Sequence, residues 1–203
     1  MFRTFTAVLL STALVLPAIA QTKGQQRFRA LFQEMVETNT TLSSGSCTAL
    51  AQNIAVHLKE AGYPAANIHL FADPGHPKEG GVVAVLPGDN PHLKAILLLG
   101  HIDVVEAKRE DWTRDPFKLI EEGGYFYGRG TADMKSQSAA WEDAMMRLKE
   151  EKVKNLRTVK MALTCGEETS TAFNGAKYLS THNRDLIDAE FALNEGGGGE
   201  NND

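Results

Sequence analysis

Basic charge is scarce in this chain. Lysine and arginine total 21 against 26 aspartates and glutamates, a formal net charge of -5 over 203 residues, and loss of Arg3 with the N-terminal segment would make it one unit more negative. That balance leaves no electrostatic footprint for nucleic acid or for an anionic membrane surface. The densest basic pair ahead of the candidate site, Lys108 and Arg109, is flanked by Glu106 and Glu110 and reads as solvated surface. Cysteine is scarcer still, with Cys47 and Cys165 the only two. Two cysteines over this length do not demand a disulfide. An oxidising compartment would permit one, and two ordinary buried thiols in apolar context fit the sequence at least as well. Beyond residue 20 no segment approaches the roughly 20 apolar residues that a membrane span needs, and no internal repeat is present.

What is there describes an ordinary globular chain, with 42% hydrophobic and 23% charged residues, long enough for one good core. Residues 1–20 carry a basic start at Arg3, an apolar stretch from Phe5 to Leu16 and a small-x-small ending at Ala18 and Ala20. This pattern predicts a signal peptide cleaved before Gln21, with no lipobox cysteine to anchor the product, and hence a secreted or periplasmic protein without a membrane anchor.

Apolar periodicity then outlines the elements. Phe28, Leu31, Phe32, Met35 and Val36 mark an amphipathic helix. Ser46 is the expected N-cap of a second helix, with the stripe Cys47, Leu50, Ala51, Ile54 and Leu58 closed by Gly62 and Pro64. Strands are expected at 68–71, 82–86, 94–100, 159–164 and 189–193, and the run 94–100, lacking alternation, reads as a central strand buried on both faces. Gly123-Gly124 suggests a short hairpin reaching Tyr125 and Phe126. Helices are expected over 133–150 and 172–179. Strands alternating with helices at this pace predict an α/β fold, a mostly parallel mixed sheet flanked by helices.

Polar residues collect where the apolar runs stop. His101 and Asp103 follow one strand, Glu167 and Glu168 another and Glu195 a third, while Asp133 follows the tight turn Gly128-Arg129-Gly130 at the expected start of a helix, as a cap, a ligand or both. In open α/β sheets, ligands gather at the carboxyl ends of strands. One imidazole among several carboxylates suits zinc, with manganese or cobalt as substitutes. An aspartate can bridge two cations about 3.5 to 4 Å apart. Two residues apart on an extended segment, His101 and Asp103 point the same way, so Asp103 can hold the imidazole nitrogen that faces away from a cation. Adjacent Glu167 and Glu168 diverge, so one can ligate while its neighbour serves as general base.

The stretches LLLGHIDVVEAKREDWTRDPF, GYFYGRGTADMK, ALTCGEET and FALNEGG, in that order, resemble the zinc-dependent metallopeptidases of the M20/M25/M40 type, a group that includes glutamate carboxypeptidase, Gly-X carboxypeptidases, carnosine dipeptidases, aminoacylases and succinyl-diaminopimelate desuccinylase. The resemblance implies His101 and Glu195 on a first Zn2+, Asp133 as the bridging ligand, Glu168 on a second Zn2+, Asp103 behind His101 and Glu167 as the catalytic base. It also implies hydrolysis of an amide beside a free carboxylate in a peptide or N-acyl amino acid substrate, with a bridging water as attacking group.

Members of that group are longer, with an inserted lid that often makes them homodimers and a late histidine ligand. The sequence is accordingly expected to cover the N-terminal portion of a truncated zinc-exopeptidase-like catalytic domain, residues 21–203, without the lid or the later part. His182, in a polar connection, is a weak substitute for the late histidine. Two other readings stand beside hydrolysis: a catalytically inactive metal- or partner-binding fragment, and a structural α/β domain whose polar strand ends are incidental.

Overall fold

A computed structural model describes residues 21–169 and 173–195; the expected leader, Ala172 and the glycines 196–199 lie outside them. The chain begins with two helices, α1 (Lys23–Glu37) and α2 (Cys47–Glu60). Thr22 and Gln25 close a reciprocal capping box on α1, and the Ser46 hydroxyl accepts the Ala49 N–H at the start of α2, so each helix starts where its side chains satisfy free backbone donors. Strands β1 (Ile68–Phe71), β2 (Gly81–Leu86) and β3 (Ile96–His101) follow, then a small hairpin of β4 (Ile120–Glu122) and β5 (Tyr125–Tyr127) turned by Gly123 and Gly124, both at positive φ. Helix α3 (Lys135–Glu150), β6 (Val159–Thr164), α4 (Gly175–His182), the single turn α5 (Arg184–Ile187) and β7 (Phe191–Leu193) complete the order.

The main sheet runs β1-β2-β6-β3-β7. Pairings of β3 with β6 and β7 are parallel, and those of β2 with β1 and β6 antiparallel, so β2 alone runs against the other strands. Side chains alternate across this sheet. Val82, Ala84, Leu86, Met161 and Leu163 face α1, α2 and α3 in the larger core, whereas Val83, Ala162 and Leu97 meet Leu179, Leu186 and Ile187 on the opposite side. Helices thus cover both faces of an α/β sandwich.

The run ending at His101 is an interior strand, as expected, paired on both sides by β6 and β7. Two expectations need correction. The strand expected at 189–193, whose apolar run suggests burial, is not buried. It is the outer strand of the described sheet, and Phe191 and Leu193 are about half exposed. The helix expected from Asp133 begins at Lys135 with Met134 in the cap position and no side-chain cap bond, so Asp133 is free of capping duty. A disulfide joins Cys47 to Cys165 with their Cα atoms 6.0 Å apart, deciding between the two readings of the cysteines.

Candidate metal centre

The parallel strands β3, β6 and β7 bring their carboxyl ends to one rim of the sheet, and each delivers part of the cluster there. His101 is the last residue of β3 and is 3% exposed. Its backbone is held by α3: the His101 N–H points to Met134 Sδ at 3.3 Å, and its carbonyl accepts the Ser138 hydroxyl at 3.1 Å. Close approach is possible because Gly100 lacks a side chain; a Cβ there would lie 2.9 Å from the Trp141 ring. Packing α3 this tightly sets the turn before it, and with it Asp133, over the imidazole.

Nε2 of His101 lies 3.0 Å from Asp133 Oδ1, 3.4 Å from Glu195 Oε2 and 3.9 Å from Glu167 Oε2. Two groups of potential ligand atoms result, each within 4.8 Å: His101 with Glu167 and Glu195, and His101 with Asp133 and Glu168. Asp133 is 66% exposed at its side chain, so the cluster opens to solvent on the side away from the buried imidazole.

Asp103, also buried, does more than the sequence implied. Its Oδ1 is 3.5 Å from His101 Nδ1, while the shorter contact of that nitrogen, 3.1 Å, is with the Asp103 backbone carbonyl. The carboxylate is occupied elsewhere. Its two oxygens accept the backbone N–H groups of Glu167 at 3.3 Å and Glu168 at 3.0 Å. Gly166 precedes them at φ 87°, where a Cβ would collide with the Phe173 carbonyl, so the turn depends on glycine.

Charge at the cluster is lopsided. Four carboxylates converge on one imidazole, and among the described residues no lysine or arginine comes within ion-pair distance of Asp133, Glu167, Glu168 or Glu195. Burial disfavours a charged His101, but the hydrogen bond and charge of Asp103, together with Glu195, outweigh it and lift the imidazole to about 9. Burial, then the charge of Asp133, pushes the Glu168 carboxyl above its usual range. Nitrogen and oxygen donors this close, with an excess of negative charge, fit divalent cations of the zinc, manganese or cobalt kind, which would offset the repulsion. The residues present therefore suit a binuclear centre.

Sequence reading missed Lys135. It is fully buried, and its ammonium donates to the carbonyls of Met35 at 2.8 Å and Thr38 at 2.9 Å, closing the end of α1 from within. A lysine two residues beyond a candidate ligand, at the start of a close-packed helix, was the available signal. His182 does not join the cluster: it lies on the exposed end of α4, stacked on Tyr178 with ring centroids 4.5 Å apart.

Residues 97–203 match the profile of Peptidase family M20/M25/M40. The chain belongs to this family. Aminoacylase-1B of Rattus norvegicus is 40% identical over 120 residues, covering 58% of this chain and 29% of that protein, and Aminoacylase-1 of Sus scrofa is 32% identical over 177 residues, covering 86% and 42%. The M20/M25/M40 chain described here thus spans less than half the length of these curated relatives. An M20 family metallo-carboxypeptidase from Sulfolobus solfataricus shares the fold, with a TM-score of 0.69 and 22% identity over 84% of this chain and 37% of its own.

Proposed function

We propose that this M20-type chain carries the site of a metal-dependent hydrolase that cleaves an amide bond in a peptide or an N-acyl amino acid. The convergence of four carboxylates around the His101 imidazole, with no neighbouring cationic side chain among the described residues to neutralise them, carries this reading. His101, Asp133, Glu168 and Glu195 would hold two Zn2+ ions, with Co2+ or Mn2+ as substitutes. Such ions, when bound, supply positive charge that polarises a substrate carbonyl and makes water more acidic.

Glu167 is the group left to move protons. Its carboxylate reaches the cluster while remaining about half exposed, so it can take a proton from an attacking water and return it to the departing amine. Asp103 keeps Glu167 and Glu168 at a common depth through their backbones, and fixes the His101 ring. We also propose that residues 1–20 are an export leader, that 21–203 form the N-terminal portion of the catalytic domain, and that the mature protein is secreted or periplasmic.

The exposed outer strand β7 favours a second reading, in which the chain binds cations but needs a further polypeptide segment for turnover. The two are separated by purifying the chain and measuring zinc by competition with a chromophoric chelator, alongside hydrolysis of dipeptides and N-acyl amino acids. The hydrolase reading expects zinc-dependent turnover that Glu167→Gln abolishes while zinc stays bound. Zinc uptake without turnover selects the second reading. Absence of zinc uptake rejects both.

A further inference from the structure

We infer that the Cys47–Cys165 disulfide is a positioning element of the metal centre, setting where Glu167 and Glu168 stand relative to His101. The inference rests on the metal-centre reading above and concerns residues outside the ligand set.

Two of the segments that feed the cluster stand side by side where the sheet ladder ends. One is His101–Val104, from the last residue of β3 onward, and the other is Cys165–Glu168 after β6. Both are tied to a common platform, residues 39–47, which comprise the loop between α1 and α2 and the first residue of α2. That platform is internally braced: Asn39 Oδ1 accepts the backbone N–H and hydroxyl of Thr41, Gly45 N–H bonds to the Thr41 carbonyl and Ser46 N–H to the Asn39 carbonyl. No Cβ fits at Gly45, where it would press on the backbone of residues 39–41. The platform's ties to the first segment and its continuation are hydrogen bonds: Val104 N–H to the Thr40 carbonyl at 3.4 Å, and the Ser43 N–H and hydroxyl to the Glu106 carboxylate at 2.9 and 2.7 Å. Its tie to the second is covalent, through Cys47 to Cys165, two residues before Glu167.

The surroundings explain why the covalent tie matters. A cavity of about 200 Å³ lies against the bridge, lined by both cysteines with Thr40, Thr41, Asp103 and Thr169. Close-packed atoms would hold a segment in place after its cross-link is cut; here the cysteines pack on the core on one side, and the partly open cavity on the other leaves room to relax. The remaining hydrogen-bond restraints on 165–168 are the Gly175 N–H on the Cys165 carbonyl, the Asn174 side-chain N–H on the Gly166 carbonyl at 3.2 Å and the two N–H bonds to Asp103. Asp103 itself belongs to the segment that hydrogen bonds alone tie to the platform. Without the bridge, the two ligand segments would move together relative to Asp133 and Glu195, which α3 and β7 carry.

The test compares zinc affinity of the full chain with that of the double variant Cys47→Ser/Cys165→Ser, in which no thiol can capture the metal. A core variant, Leu58→Ala, serves as a control for general destabilisation. Circular dichroism reports folding, and chelator competition reports each binding step. We expect the serine pair to bind zinc about tenfold or more weakly in at least one step, as is usual when a ligand's support is removed, and the control to match the parent. Should the serine pair not fold, Cys47→Val/Cys165→Ala, which keeps apolar packing, gives the same comparison. Affinity unchanged within twofold in a folded variant, or an equal loss in the control, overturns the inference while leaving the metal centre intact. No zinc uptake by the parent removes both.

Discussion

The Asp103 carboxylate accepts the backbone N–H of Glu168 at 3.0 Å. A side chain buried at the end of one strand therefore sets the height of a candidate ligand at the end of another, and a second oxygen does the same for Glu167. Asp103→Asn would present an amide N–H to one of two N–H donors. Zinc affinity is expected to fall about 10- to 100-fold with the circular dichroism spectrum preserved, as measured by chelator competition. An unchanged affinity would show that the turn is held without Asp103.

Substitution at Gly166 addresses the same turn from its backbone. The residue sits at φ 87° with no room for a Cβ. Gly166→Ala is expected to cost at least about 2 kcal/mol, the left-handed conformation alone accounting for 1 to 2, and to weaken zinc binding in parallel. Denaturant midpoints and metal titration on one preparation check both; a neutral variant would mean that the turn has another conformation.

Far from the cluster, His57 on α2 donates to or accepts from Glu142 of α3 at 2.8 Å and lies 3.3 Å from Glu34 of α1. The hydrogen bond to Glu142 raises the imidazole, with burial opposing, and burial raises the Glu142 carboxyl. Both folded-state values exceed the unfolded ones, so each group binds protons more tightly when folded. His57's contribution is therefore fully present below about pH 6.5, the unfolded value, and is lost as pH rises through its folded value. His57→Ala strands a buried carboxylate and should lose on the order of 3 kcal/mol at pH 6. Because Glu142 would itself take up a proton in that variant, the pH test uses His57→Ala/Glu142→Gln, in which neither group titrates: urea unfolding from pH 6 to 9 should show the gap between parent and double variant narrowing, and a gap independent of pH contradicts the assignment.

Lys135→Met should remove both donors from the Met35 and Thr38 carbonyls while keeping the apolar stem. Leaving buried acceptors unpaired costs about 1 to 3 kcal/mol each, offset in part because burial already pushes the ammonium down to about 7. A net loss of roughly 2 kcal/mol in urea unfolding is expected. Equal or greater stability would mean that burying the charge costs more than its two bonds return.

Elements that rest on local chemistry were legible. Helices at 23–37 and 47–60 follow from capping residues and apolar spacing, and the strand ending at His101 follows from its unbroken apolar run. So was the gathering of acids at strand ends, because polar residues that interrupt such runs must face the rim. Direction was not. Gly81–Leu86 is buried almost throughout, and an apolar run of that kind looks the same whether it joins a sheet forwards or in reverse, so the place of β2 beside β6 stayed hidden. Exposure of Phe191 and Leu193 is equally invisible to composition, which reports what a residue would prefer and not whether a neighbour arrives to cover it. The bonds of Asp103 to a turn 64 and 65 residues later, and of Lys135 to α1, depend on contacts between distant segments.

His101 belongs to both groups of potential ligands, yet one nitrogen lone pair can be donated to a single ion. Two cations held here would then be bound unequally by the described donors, one through nitrogen and oxygen and the other through oxygen alone. The site is asymmetric before any ion enters it.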